Sequence, residues 1–144
     1  MNVFAPVSSI MTTDLIALNP DDSLLMVKEI FDKNNIHHIP IVRHRALLGL
    51  ISKHDFEHFQ IGMSAYDEDR FLNQTILKNH KVKEIMVEKL AKLEPNDHIN
   101  VALDVFLLNR FHALPVVDDG VLVGILTTHD IIKALVAEST TKAS

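Results

Sequence analysis

The chain repeats itself. Sliding the 144 residues along themselves by 75 positions brings Ile10-Met11 onto Ile85-Met86, Pro20-x-Asp22 onto Pro95-x-Asp97, and Phe31 onto Phe106. His37 then meets His112, Pro40 meets Pro115, Gly49 meets Gly124, and His54-Asp55 meets His129-Asp130. From residue 10 to residue 57 the register holds without a gap, and 15 of the 48 pairs are identical, so a duplication sets the architecture. A unit of about 50 residues buries too little apolar surface to be secure alone, so the two copies are expected to pack together.

Each copy reads as β-α-β-β-α. Asp21-Asp22-Ser23 and Asn96-Asp97-His98 follow a proline and offer N-caps. The apolar positions that follow are helical in spacing: Leu24, Val27 and Phe31 in the first copy, Ile99, Ala102 and Phe106 in the second. These helices are predicted to end near Asn34 and Asn109. Two β-rich runs come next, Ile39–Val42 with Leu47–Ser52 and Leu114–Val117 with Leu122–Thr127, each pair split by a short turn as in a hairpin. A second helix is predicted to start near His54 and near His129, and a short strand precedes each first helix, at Ile16–Leu18 and Ala91–Leu93. The organisation is thus repeat 1 over 8–60, a connector over 61–82, repeat 2 over 83–138 and a tail over 139–144. In the connector, Ser64-x-x-Asp67 can cap an amphipathic helix carrying Phe71, Leu72 and Ile76.

Composition narrows the function. With 14 basic and 19 acidic residues the net charge is −5, which disfavours the basic surface that nucleic acid requires. There is no cysteine, hence no disulfide framework and no thiolate nucleophile. No signal peptide is visible and no apolar run is long enough to span a membrane, so a cytoplasmic domain is expected.

The sharpest local pattern is Gly49-Leu50-Ile51-Ser52-Lys53-His54-Asp55, echoed by Gly124-Ile125-Leu126-Thr127-Thr128-His129-Asp130. A strand ends at a hydroxyl, a helix starts, and an aspartate follows three residues on. One reading is a capping box, in which hydroxyl and carboxylate satisfy free N–H groups at the helix start. The other is a ligand site, since a helix N-terminus attracts anions and a carboxylate can accept both hydroxyls of a ribose. Both can hold together.

The ordered set Ile-Met, Pro-x-Asp, helix, His-x-x-Pro-Val (Ile in the first copy) and Gly-h-h-(Ser/Thr)-x-x-Asp, given twice over about residues 8–138, resembles a tandem pair of CBS domains, a Bateman module. That resemblance implies a mixed α/β (α+β) fold of two β-α-β-β-α repeats, packed sheet to sheet about a pseudo-two-fold axis. It also implies two clefts that bind adenosyl ligands: AMP, ADP or ATP, with S-adenosylmethionine or NAD as further members. Such modules usually dimerise and regulate an attached or partner protein, here an unidentified one, and this chain is expected to stand alone.

Carried onto this chain, the resemblance nominates Asp55 and Asp130 for ribose hydroxyls and Ser52 and Thr127 for ribose or phosphate. It has the opposite copy supply the adenine face. One cleft would then join Ser52 and Asp55 to Ala91, Phe111 and His112; the other would join Thr127 and Asp130 to Ile16, Ile36 and His37. His38 and His129 are further phosphate candidates. No catalytic residue is assigned, because no phosphate loop or activated nucleophile is apparent. His54 and His58 have a chelating i,i+4 spacing, yet nothing accompanies them to complete a metal site.

The copies are not equal. Ile36–His54 carries Arg43, Arg45 and Lys53 without an acid, whereas Phe111–His129 carries only Asp118 and Asp119, so unequal sites are expected. Lys28, Asp32 and Lys33 become Leu103, Leu107 and Leu108, which makes the second copy's first helix apolar almost all round. Leu103 and Leu107 are therefore expected at a homodimer interface, or else buried against the connector helix. Two other readings stay open: a scaffold with empty clefts, and an enzyme acting on a nucleotide.

Overall fold

A computed structural model describes residues 1–64, 70–109 and 112–143. The first copy supplies α1 (Leu24–Lys33), β1 (His38–Arg43), β2 (Ala46–Ser52) and α2 (Lys53–Ser64). The connector holds α3 (Arg70–Asn79), and the second copy supplies α4 (Ile99–Asn109), β3 (Ala113–Asp118), β4 (Val121–Thr127) and α5 (Thr128–Ala143). The mixed α/β order matches the expectation, and α5 runs on through residues expected to form a tail. The cap proposed at Ser64-x-x-Asp67 reaches outside the described residues.

The predicted first strands are shorter than expected. Each is reduced to one parallel bridge, Leu18 to Ile41 and Leu93 to Val116. Leu18 N–H donates to the Pro40 carbonyl at 3.1 Å and its own carbonyl accepts from Val42 at 2.8 Å; Leu93 repeats this with Pro115 and Val117. Pro20 and Pro95 follow two residues later and have no N–H to give, so neither ladder can continue.

The repeated Pro-x-Asp also has a role other than the expected N-cap. Asp22 Oδ2 accepts the N–H of Asn19 at 2.8 Å, and Asp97 Oδ2 accepts that of Glu94 at 2.7 Å, closing the same turn twice. The N-cap of α1 is Ser23, whose hydroxyl accepts from Met26 N–H.

The chain divides into two compact units whose borders differ from those of the copies. One is Ile16–Lys89; the other joins Met1–Leu15 to Leu90–Ser144. The segment that opens each copy therefore packs on the other copy's helices and strands. In one unit Val7 N–H donates to Asp97, Ser8 to Pro95 and Ile99 to Ala5, at 2.8, 3.1 and 2.9 Å. In the other, Val82 donates to Asp22, Lys83 to Pro20 and Leu24 to His80, at 2.8, 3.0 and 2.9 Å. Every bond of one set maps onto the other by the 75-residue shift.

Each unit has its own core. Leu24, Val27, Phe31, Ile39, Ile41, Ile51 and Phe56 are buried in the first, joined by Leu77 from α3 and Val82. Leu77 thus anchors the connector helix, beside the predicted Ile76, which is half-buried. Val7, Leu93, Ile99, Ala102, Leu114, Val116, Leu126 and Ile131 are buried in the second. Burial of such side chains contributes roughly 1.5–3 kcal/mol each before entropy is counted. Leu103 is half-buried against the second core, whereas Leu107 and Leu108 are 80% and 79% exposed, so the alternative of a Leu107 buried against the connector helix does not hold.

Candidate functional site

The two helix heads are built alike. β1 pairs with β2 so that His38 faces Ser52, and β3 pairs with β4 so that Ala113 faces Thr127. α2 and α5 start directly after those hydroxyl residues. The first free N–H of each helix is taken by the residue just before β1 or β3: Lys53 donates to the His37 carbonyl at 2.8 Å and Thr128 to the His112 carbonyl at 3.1 Å. Ser52 Oγ then accepts the N–H of Asp55 at 3.0 Å, and Thr127 Oγ1 accepts that of Asp130 at 3.0 Å. The hydroxyl half of the capping reading is therefore realised in both copies.

The carboxylates differ. Asp130 is only 7% exposed and completes the reciprocal box, with Oδ2 accepting the N–H of Thr127 at 3.0 Å. Its other oxygen, Oδ1, accepts the hydroxyl of Thr12 at 2.9 Å. Asp55 is half-buried, and among the described residues its carboxylate accepts no hydrogen bond. One copy offers a carboxylate sealed into the fold, the other a carboxylate at a helix N-terminus with acceptor capacity to spare.

Thr12 is the residue that sequence reasoning missed. It bridges Ile125 through a reciprocal pair of backbone bonds, as Val87 bridges Leu50. The signal was present in the repeat, where Ile-Met-Thr is matched by Ile-Met-Val.

The remaining nominated residues take varied positions. Ile16, His37, His112 and His129 are exposed, and Ile36 and Ala91 are half-buried against their own cores. His38 is half-buried in β1, and Phe111 lies outside the described residues. Ser52, Asp55, His37 and His38 share the Ile16–Lys89 unit, while Thr127, His129, Asp130 and His112 share the other. His54 and His58 are both exposed on α2.

A charged cluster lies outside the nominated set. Asp21 receives Arg43 Nη2 at 2.9 Å, Lys83 Nζ at 3.4 Å and Lys81 Nζ at 3.7 Å. Hydrogen bonding from Lys83, followed by the charges of Lys83, Lys81 and Arg43, holds the Asp21 carboxyl below the usual carboxylate range.

The CBS-domain model matches this chain twice, over residues 7–61 and 82–137. The chain belongs to the CBS-domain family. Its two CBS repeats are similar to part of the inosine-5'-monophosphate dehydrogenase of Thermoplasma acidophilum, 27% identical over 125 residues. That match covers 86% of this chain and 22% of the enzyme, so the chain spans about a fifth of this curated relative. Among solved structures, the CBS pair resembles CBSX2 in complex with AMP, with a TM-score of 0.76 at 23% identity over 94% of this chain and 98% of that one. It also resembles the CBS domain pair of MJ0100 in complex with 5'-methylthioadenosine and S-adenosyl-L-methionine, with a TM-score of 0.73 at 24% identity over 94% and 98%. Both likenesses establish the CBS-pair fold. Among the described residues, no helix is long and apolar enough to cross a membrane.

Proposed function

We propose that this CBS pair is a ligand-sensing regulatory module that binds adenosyl nucleotides of the AMP, ADP or ATP class and thereby modulates a partner protein. The observation that carries this reading is the Asp55 carboxylate, which stands at the head of α2 beside the Ser52 hydroxyl with no hydrogen bond to its oxygens among the described residues. A carboxylate so placed can receive both hydroxyls of a ribose, and the helix N-terminus beside it favours a phosphate. Ligands in the two similar structures, AMP in one and methylthioadenosine with S-adenosylmethionine in the other, support an adenosyl group.

Further residues assigned to ligand binding are Thr127 and Asp130 at the head of α5, with Ile16, Ile36, Ala91, Phe111, His112 and His129 around the base and phosphates, and His37 and His38 from the first copy. The repeated groups are a capping hydroxyl and a carboxylate at a helix head, a set suited to recognition rather than to bond breaking. Ligand binding acts by shifting populations between arrangements that the partner distinguishes, and a cytoplasmic setting goes with this reading.

Isothermal calorimetry with AMP, ADP, ATP, NAD and S-adenosylmethionine tests the proposal. Binding of at least one, weakened by Asp55→Ala, is the expected result. Failure of all five to bind would remove the sensing function, and binding indifferent to both Asp55→Ala and Asp130→Ala would remove the site assignment.

A further inference from the structure

The two aspartates stand in matching frameworks, yet Asp130 accepts two hydrogen bonds where Asp55 accepts none among the described residues, and one of the two comes from a hydroxyl that the other copy lacks. Thr12 and Val87 occupy matching positions in the repeat and make matching backbone bonds. The Thr12 N–H donates to the Ile125 carbonyl at 2.9 Å and the Thr12 carbonyl accepts from the Ile125 N–H at 3.0 Å; the Val87 N–H donates to the Leu50 carbonyl at 2.9 Å and the Val87 carbonyl accepts from the Leu50 N–H at 3.0 Å. Both segments therefore run past their strand in the same register. Of these two residues only Thr12 has a side-chain donor, and it is spent on Asp130 Oδ1 at 2.9 Å. With Oδ2 facing the Thr127 N–H and the residue 7% exposed, Asp130 has one ligand-like hydroxyl already in place.

We infer that the Thr12 hydroxyl competes with a ligand hydroxyl for Asp130, so that the two aspartates form unequal sites, with the open one at Asp55 and the latched one at Asp130. This rests on the sensing function proposed above and sets which site responds first. A vicinal diol that uses both oxygens of a carboxylate meets a bond already made at each oxygen of Asp130, and of those two donors only the Thr12 hydroxyl, unlike the Thr127 backbone N–H, can turn away to make room. At Asp55 the valine at the matching position offers nothing to displace. Occupancy at Asp130 is thereby tied to rotation of the Thr12 hydroxyl away from the carboxylate. Low ligand concentrations fill the Asp55 site and leave that hydroxyl bond in place; higher ones break it.

Calorimetric titration with AMP and with ATP tests the latch on the full chain. The wild type should show a tight phase, lost in Asp55→Ala, and a weaker one, lost in Asp130→Ala. Thr12→Val should tighten the weaker phase by roughly tenfold, the scale expected when a charge-assisted competitor is removed, and leave the tight phase unmoved. Val87→Thr should weaken the tight phase, and Thr12→Ser, which keeps the hydroxyl, should reproduce the wild type. Two phases that Thr12→Val does not change, or a weaker phase that it weakens further, would overturn the latch while leaving nucleotide sensing intact. No binding by the wild type or by Thr12→Val would overturn both.

Discussion

The sulfur of Met11 lies 2.5 Å from the point where a Cβ on Gly124 would sit, and that of Met86 lies 2.8 Å from the equivalent point on Gly49. Each methionine belongs to the segment opening one copy, and each glycine to a strand of the other. The glycine leaves the groove and the methionine fills it, which is why Ile-Met and Gly recur together in the repeat.

Gly124→Ala should therefore push against Met11 Sδ and Cγ, and Gly49→Ala against Met86 and the Val87 carbonyl. Overpacking of this kind costs about 1–3 kcal/mol. Urea unfolding should show a lower midpoint for each. Combining Gly124→Ala with Met11→Ala should cost less than the two singles together, because the first substitution's clash is gone once the sulfur is. Strict additivity would mean the contact is not the cause.

The turn between β1 and β2 places His44 and Arg45 at φ 51° and 70°, while the matching turn uses Asp119 and Gly120 at 50° and 81°. Positive φ costs an ordinary side chain on the order of 1 kcal/mol, and glycine escapes that cost. Arg45→Gly should thus raise the midpoint of denaturation with an unchanged m-value, despite the extra chain entropy of glycine. Gly120→Arg should lower it.

Acid should weaken the Ile16–Lys89 unit through Asp21 and Glu84. Lys83, Lys81 and Arg43 lower the Asp21 carboxyl, and the Lys81 backbone N–H followed by His80 lowers that of Glu84. For a carboxyl whose folded value is depressed, the stabilisation is complete above the unfolded value and is lost as pH falls through the folded one. Both groups are exposed, so added salt should shrink the effect. Stability measured from about pH 6 to pH 2 should fall less steeply in Asp21→Asn than in the wild type; parallel curves would rule Asp21 out.

Six of the twelve large apolar side chains exposed among the described residues lie on α4 and α5: Val101, Leu107, Leu108, Ile132, Leu135 and Val136. Large contiguous apolar patches are uncommon on a free monomer. We propose that they meet a second copy of this chain, which brings an identical face. Light scattering should give a dimer for the wild type and a monomer for Leu107→Asp. Leu107 is a better probe than Leu103, whose half-buried side chain supports the core.

By itself the sequence determined the elements and their order, because periodicity and turn residues are local and the duplication states each of them twice. The helices α1, α2, α4 and α5, both hairpins and the paired Ser52/Asp55 and Thr127/Asp130 motifs are all legible in that way. Only the tertiary structure decided which copy each opening segment packs against. A 75-residue repeat is equally satisfied whether Met11 covers its own copy or the other. What settles it is backbone pairing at a distance, Val7 with Asp97 and Val82 with Asp22. The same exchange carries Thr12 to Asp130, 118 residues away, and makes unequal two aspartates that look identical in the sequence.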